Sequence, residues 1–291
     1  MKHIPVLMKE TIEILDPKPG QNFVDCTFGR GGHSRELLEK TAPDGIIIGL
    51  DWDGQSLESY KKNNIVPERL ILEKLNYADI QNSQTVKDNY PISGMLYDLG
   101  MSSWHIDESG KGFAFSKDEP LDMRYDSQNP LTAARIVNEF MAQDLEKIFS
   151  EYGQEKDSKK ITKAIVSVRR SKPIETAGQL AAVVSKVAPP AHRNAALARI
   201  FQALRIAVNR ELDNIEKGIG SGFELLAPGG RMAIITFHSL EDRIVKLKFR
   251  ELVDSGRARP ILEKPLAPQN EEIIINPRSR SAKLRAIEKI S

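Results

Sequence analysis

The first hundred residues alternate between short apolar runs and segments of helical periodicity, a pattern typical of a parallel sheet covered by helices. Strands are predicted at residues 23–27, 46–51, 70–74 and 95–99, with a helix over 33–40 after the first strand. The second run is apolar until its last residue, as expected for a strand buried on both faces. The pattern therefore predicts an α/β fold.

Residues 107–193 differ, because their apolar positions recur at helical spacing and no comparable strand interrupts them. Thr176 and Gln179 form a capping-box pattern at the start of one helix. A long helix is predicted over 195–217. The strand pattern then returns at 232–237.

A sheet that is interrupted by helices and later completed predicts an inserted domain. We place the discontinuous α/β domain at residues 1–106 and 200–291. The inserted all-helical domain, which would recognise the substrate, is placed at 107–199.

Composition excludes several classes of protein. The apolar runs have strand length, far below the roughly 20 residues of a membrane span, and the N-terminus lacks a signal-peptide pattern. We therefore expect a cytoplasmic protein with no membrane contact. The single Cys26 excludes an internal disulfide, and no Cys or His spacing resembles a zinc site, so no metal is expected. The oligomeric state is not predicted.

The turn after the first predicted strand is rich in glycine, from Gly29 to Gly32. Glycine permits a tight turn and brings main-chain N–H groups close to a ligand at a helix start. Asp51 ends the second strand, where a carboxylate can accept hydrogen bonds from both ribose hydroxyls. The combination indicates a nucleoside-containing cofactor; the alternative is a tight turn beside a surface aspartate.

Two cofactor classes compete for this turn. A dinucleotide fingerprint that starts at Gly29 would need glycine or alanine at position 34, where the chain has Ser34. S-adenosylmethionine needs no pyrophosphate cradle, and Asp98 ends the fourth strand where a further polar contact is expected. Methyl transfer is therefore favoured over a nicotinamide-dependent oxidoreductase.

Long polar motifs then resemble one family across nearly the whole chain: the bacterial 16S ribosomal RNA (cytosine-N4)-methyltransferases, known as RsmH or MraW. The similarity is carried by residues 3–7 (HIPVL), 25–34 (DCTFGRGGHS), 98–103 (DLGMSS), 112–115 (GFAF), 121–124 (LDMR), 201–209 (FQALRIAVN), 237–243 (FHSLEDR) and 276–285 (NPRSRSAKLR).

The resemblance implies a class I methyltransferase (Rossmann-like) fold with a mostly parallel sheet, and an activity on a decoding-region cytosine of 16S rRNA, within the small ribosomal subunit. It also implies a set of cofactor-binding positions, namely Gly31, Gly32, His33, Asp51, Tyr77, Asp98 and His105. His105 departs from the family pattern, which has Gln there, and Tyr77 stands where Phe is usual.

The exocyclic amine of cytosine is a poor nucleophile, and a hydrogen-bond acceptor for its N–H bonds would help to free its lone pair; which group takes the released proton is not predicted. Asp98 is the first candidate for this acceptor, and a purely cofactor-binding role is the alternative. His238 is a second catalytic candidate, with a structural histidine as its alternative. Methylation at carbon 5 would require a cysteine nucleophile, and Cys26 lies inside a predicted strand, so nitrogen methylation is favoured.

RNA contacts are expected at Trp104, Arg243, Arg278 and Arg280, with two basic segments, 156–172 and 278–289, meeting phosphates; a solvated helix face is the alternative for 156–172. Trp104, Phe113 and Phe115 are candidates to stack on a displaced base; packing between the two domains is the alternative. A non-enzymatic RNA-binding or assembly factor with a vestigial pocket is a third reading of the whole chain.

Overall fold

The computed structural model describes residues 5–290, so His3 and Ile4 of the first motif lie outside the described residues. These residues form two compact units, one of residues 5–100 with 212–290 and one of 101–211. The predicted boundaries at 106/107 and 199/200 differ from these divisions. A cut at residue 200 would fall inside a continuous helix, which the structure keeps whole in the second unit.

The first unit contains a seven-stranded sheet, with the strands in the order β3-β2-β1-β4-β5-β7-β6. Strands β1 to β5 are parallel to their neighbours, and β7 is antiparallel to both β5 and β6. The strands are β1 (Asn22–Asp25), β2 (Ile47–Asp51), β3 (Leu70–Lys74), β4 (Ile92–Asp98), β5 (Leu226–Thr236), β6 (Ala258–Pro260) and β7 (Lys283–Lys289).

Helices cover this sheet, and apolar side chains from strands and helices form its core. The helices of the unit are α1 (Met8–Leu15), α2 (Gly32–Lys40), α3 (Gly54–Asn63), α4 (Gln84–Asp88), α11 (Glu211–Leu225), α12 (Ser239–Asp254) and α13 (Asn270–Ile275). The first residue of α11, Glu211, belongs to the second unit. Short 3-10 helical segments span Tyr77–Asn82 and Pro277–Ser281.

The second unit, residues 101–211, is fully described and contains helices but no strand. Its helices are α5 (Ser103–Asp107), α6 (Ala133–Glu139), α7 (Ala142–Glu151), α8 (Ser158–Arg169), α9 (Ala177–Val187) and α10 (Arg193–Asn209). Thr176 and Gln179 form the predicted capping box of α9. The predicted architecture, an α/β unit with a mostly parallel sheet and an inserted all-helical unit, is confirmed.

The single helix predicted over 195–217 is wrong, because the chain breaks at Arg210. Arg210 adopts a left-handed conformation with φ of 50°, which ends α10 and lets α11 start in a new direction. The break also brings Arg205 and Glu211 together as a buried ion pair, with hydrogen bonds of 2.9 and 3.0 Å. Apolar periodicity continues across this point, so it gave no sign of the break.

None of the helices over residues 5–290 has the length and apolar character that a membrane span requires.

Candidate active site

Four parallel strands end at one edge of the sheet, and each delivers a polar residue there. These residues are Asp25 of β1, Asp51 of β2, Asp98 of β4 and Thr236 of β5. Ligands of open α/β sheets bind at the carboxyl ends of the strands, where the strand order reverses. The reversal lies between β1 and β4, so Asp25 and Asp98 flank the expected ligand crevice.

The glycine turn follows β1 and leads into α2. Gly29 and Gly31 have φ values of 53° and 67°, which is left-handed backbone that side chains disfavour. A Cβ atom at Gly31 would also lie 2.6 Å from Cζ of Phe28. Glycine at this position is therefore required both by the backbone conformation and by the close packing of Phe28 under the turn.

Asp51 lies against this turn. Its Oδ2 accepts the Gly29 backbone N–H at 3.0 Å, and its Oδ1 accepts the Asp53 N–H at 2.9 Å. The carboxylate is thus fixed beside the main-chain groups of the turn, as the sequence spacing predicts. A carboxylate has about four acceptor sites, more than one backbone N–H group per oxygen uses.

Tyr77 opens the 3-10 segment that follows β3. Its ring packs edge-on against Tyr97 of β4, with the ring centroids 5.5 Å apart. Tyr97 is fully buried and donates its hydroxyl to the Gly218 carbonyl at 2.9 Å. The buried neighbour fixes the orientation of the Tyr77 ring, which is itself partly exposed.

Asp98 is the most perturbed acid of the site. Burial, followed by the nearby carboxylates of Asp25 and Glu241, raises its pKa to about 8. Its Oδ1 atom is buried and accepts no hydrogen bond from any described residue. Its Oδ2 lies 3.8 Å from Nδ1 of His33. An acid with a raised pKa and an unsatisfied oxygen in a ligand crevice is a functional-site candidate.

Sequence reasoning gave no role to Asp25 and Thr27, although both lie in the glycine-turn motif. Asp25 is buried and accepts hydrogen bonds from the Ser34 hydroxyl at 2.7 Å and the Thr27 N–H at 3.2 Å. Burial raises its pKa to about 6. The signal was present, since an acid that ends the strand next to β4 must lie near Asp98.

His238 caps helix α12. Its Nδ1 accepts the Glu241 N–H at 3.3 Å, and Glu241 accepts the backbone N–H groups of Phe237 and His238 in return. The imidazole Nε2 lies 3.1 Å from Oε1 of Glu241. The arrangement is a capping box with histidine in the cap position, which favours the structural alternative for His238 over proton transfer.

Trp104 and His105 belong to the helical unit. Trp104 is 7% exposed, with the Lys111 ammonium 5.6 Å from its ring centroid. His105 is buried and its Nδ1 lies 2.9 Å from the Ser102 hydroxyl, at the start of α5. Phe113 stacks on Tyr125 within the same unit. As placed, the indole of Trp104 offers little surface on which a base could stack.

Phe115 also packs within the helical unit, edge-on against Phe201 at 5.7 Å. The two phenylalanines are therefore core residues of that unit.

The basic segments divide into exposed and structural residues. Arg243, Arg278 and Arg280 are exposed. Four other basic residues are bound: Lys283 and Arg285 pair with Asp242, Lys289 donates to three backbone carbonyls, and Arg169 donates to the carbonyls of Val137 and Phe140. These four side chains have structural partners within the protein, whereas the phosphate contacts of the two segments stay a prediction.

Known proteins are similar to this chain over nearly its whole length. A family model described as the MraW methylase family matches residues 1–290. The ribosomal RNA small subunit methyltransferase H of Syntrophotalea carbinolica is 42% identical, over 99% of this chain and 98% of the relative. The protein of the same name from Symbiobacterium thermophilum is 40% identical, over 99% of this chain and 96% of the relative.

Among solved structures, an rRNA methylase from Streptococcus thermophilus aligns with a TM-score of 0.45 and 13% identity, over 100% of this chain and 99% of the other. At that score the likeness adds nothing to the assignment. The sequence relatives are similar from end to end, and the family model spans all but the last residue. This chain belongs to the MraW methylase family.

Proposed function

We propose that this chain transfers a methyl group from S-adenosylmethionine to N4 of a cytosine in the decoding region of 16S rRNA, within the small ribosomal subunit. Membership of a methylase family supports the reaction class. The relatives named as ribosomal RNA small subunit methyltransferases support the RNA substrate. The motif resemblance supports the base, the atom and the region.

The glycine turn and Asp51 fit the methyl donor. Gly31 and Gly32, at the start of α2, would hold the donor through their backbone N–H groups, and the Asp51 carboxylate beside the turn would accept its ribose hydroxyls. Tyr77, Asp98 and His33 complete the proposed binding set within the α/β unit, and His105 stays a prediction from the motif resemblance. The donor supplies a methyl group on a positively charged sulfur, and the crevice flanked by the Asp25 and Asp98 carboxyl groups suits such a charge.

One observation carries the proposal: Asp98 ends β4 at the crevice between β1 and β4 as a partly exposed carboxyl group, one of whose oxygens has no hydrogen-bond partner among the described residues. A cytosine amine is a weak nucleophile because its lone pair is delocalised into the ring. In its ionised form, Asp98 accepts a hydrogen bond from N4 and takes one proton from that nitrogen as the carbon–nitrogen bond forms. Because the pKa of Asp98 is about 8, the ionised form that can accept this proton becomes the major form only above that pH.

Carbon-5 methylation is disfavoured by the state of the only thiol. Cys26 is 1% exposed, and burial raises the pKa of its thiol far above the ordinary value. A reactive cysteine needs a lowered pKa and access to its substrate. Cys26 has neither property, so it cannot add to the pyrimidine ring.

Exposed arginines on the α/β unit suit an RNA backbone. Arg243 and Arg280 make no hydrogen bond or ion pair with any residue in the described part of the chain, and Arg278 is equally exposed. Guanidinium groups bind phosphate oxygens in a bidentate manner and release counterions from the nucleic acid. We include these three in the RNA contact set and leave out the buried Trp104.

The test uses the purified protein with isotopically labelled S-adenosylmethionine and 30S particles from a strain that lacks this methylation. After nuclease digestion and mass spectrometry, we expect label in N4-methylcytidine from one decoding-region position. Label in 5-methylcytidine, in another base or in no nucleoside would contradict the proposal. Asp98→Asn should lose at least 100-fold in rate, while the exposed control Asp88→Asn should be unchanged.

A second assay separates the cofactor classes. Calorimetric titration should show binding of S-adenosylmethionine and none of NADH. The opposite result would favour the nicotinamide-dependent oxidoreductase.

A further inference from the structure

The imidazole of His33 is held between a backbone carbonyl and the carboxyl group of Asp98. Its Nε2 lies 3.1 Å from the Val6 carbonyl oxygen, and its Nδ1 lies 3.8 Å from Oδ2 of Asp98. The residue is 5% exposed, although it is one of the first residues of α2. The ring therefore faces the proposed proton acceptor and has little room to turn away.

The Val6 carbonyl determines which nitrogen carries the fixed proton. A carbonyl oxygen can only accept a hydrogen bond, so Nε2 must be the donor. The nitrogen that gains or loses a proton is then Nδ1, which is the atom that faces Asp98. When His33 is protonated, the added proton therefore lies on the side of the ring that faces the Asp98 carboxyl group.

The segment that supplies this carbonyl is itself anchored. Pro5 packs so closely on Gly32 that a Cβ atom there would overlap the proline ring. The Leu7 N–H donates to Oε1 of Glu272 at 2.9 Å, and the Leu7 side chain is fully buried. Residues 5–7 therefore form a fixed strap over the glycine turn, and the position of the Val6 carbonyl follows from it.

We propose that His33 is a positioning residue for the methyl transfer: through its contact with Oδ2 it holds the Asp98 carboxyl group in one orientation at the crevice and favours its ionised form. The inference rests on the proposed function and deepens it. The motif resemblance places His33 among the cofactor-binding residues, whereas the contacts of its ring assign the side chain to Asp98.

The groups around Asp98 explain why such a residue is needed. The carboxylates of Asp25 from β1 and Glu241 from α12 both face it, and both disfavour its ionised form. His33 from α2 is the one basic side chain that the described structure places within 4 Å of this carboxyl group. When His33 is protonated, the positive charge at Nδ1 opposes the effect of the two acids and favours the ionised carboxylate.

Two substitutions separate orientation from mere packing. In His33→Gln, the amide can still donate to the Val6 carbonyl, as Nε2 does, but nothing faces Asp98. In His33→Asn, the shorter amide places a donor near the position of Nδ1 and loses the Val6 bond. The exposed His192→Gln is the control.

The first measurement is a carbon-13 carboxyl NMR titration of Asp98 in the protein alone, which requires no activity. We expect His33→Gln to raise the midpoint by about one pH unit with little change in Tm. In His33→Asn, the midpoint should lie closer to the wild-type value than in His33→Gln, and Tm should fall because the bond to the Val6 carbonyl is lost. A midpoint in His33→Gln within 0.3 units of the wild type would overturn the inference.

The second measurement is the pH profile of kcat for methylation of 30S particles. A rise of one unit in the Asp98 midpoint predicts a rate about tenfold lower on the acid side of the profile. If the wild type methylates and His33→Gln keeps the wild-type pH profile, the inference about His33 fails while the proposed function stands. If the wild type methylates nothing, the proposed function fails, and the NMR titration still decides whether His33 controls Asp98.

Discussion

Thr27 and Asp98 are joined by a hydrogen bond of 2.6 Å, in which the Asp98 backbone N–H donates to the Thr27 hydroxyl. The bond ties the end of β4 to the turn after β1, at the point where the strand order reverses. Thr27 in turn donates its own N–H to Asp25. The position of the proposed proton acceptor thus depends on a neighbouring strand.

Thr27→Val should destabilise the protein by about 1–3 kcal/mol, because the Asp98 N–H loses its partner while the shape of the side chain is retained. Urea unfolding measures the change. Thr11→Val is the matched control, since the Thr11 hydroxyl is buried without a partner among the described residues, and its removal should be neutral or stabilising. Equal effects of the two substitutions would show that the Thr27 hydroxyl contributes nothing specific.

Asp51→Asn should weaken binding of S-adenosylmethionine at least tenfold, measured by calorimetry. The amide retains one acceptor oxygen, but it cannot hold two backbone N–H groups and also accept two ribose hydroxyls. A melting curve on the same sample checks that the glycine turn remains folded. Unchanged affinity would remove Asp51 from the site.

Asp98→Asn should become more stable, relative to the wild type, as the pH rises from 5 to 9. The pKa of Asp98 is about 8 in the folded protein against an ordinary value of 3.8. Between those values the folded protein holds a proton that the unfolded chain has released, so wild-type stability falls with rising pH. Asparagine does not ionise and avoids this loss.

Tm at several pH values measures this effect, with about 2–4 °C expected for each kcal/mol. The Asp25 carboxyl group, whose pKa is about 6, contributes to the slope of both proteins, so the difference between them isolates Asp98. A constant difference in Tm would mean that Asp98 is ionised throughout the range.

Lys289→Met should cost about 1–3 kcal/mol in urea unfolding, because its ammonium donates to the carbonyls of Phe223, Glu224 and Leu226 at the end of α11. The methionine keeps the apolar stem of the side chain. Lys246→Met, on an exposed face of α12, is the control and should change stability by less than about 0.5 kcal/mol. RNA binding should not change with Lys289→Met.

Local patterns predicted much of the fold and part of the candidate site. The apolar run that became β2, the capping box of Thr176 and Gln179, and the spacing from the glycine turn to Asp51 depend on residues close in sequence. Backbone periodicity and turn chemistry act over such short distances, so they can be read from the chain. The family motifs added the reaction class in the same way.

The break at Arg210 and the roles of the basic tail could not be predicted. Apolar periodicity runs through Arg210 unchanged, and only the buried pairing of Arg205 with Glu211 shows what the break achieves. Lysine in a basic run is usually solvated, yet Lys289 ends β7 next to helix α11, whose carbonyls need donors. Partners so distant in sequence come together only through the tertiary packing, so local patterns do not predict them.

The sequence by itself determined the alternation of strands and helices, the glycine turn with the Asp51 carboxylate beside it, and membership of a methylase family. Only the tertiary structure brought Asp25, His33, Thr27 and Glu241 around Asp98, because parallel strands far apart in the chain end at the same edge of the sheet. The pKa and orientation of Asp98 arise from burial and from neighbours that no local pattern encodes.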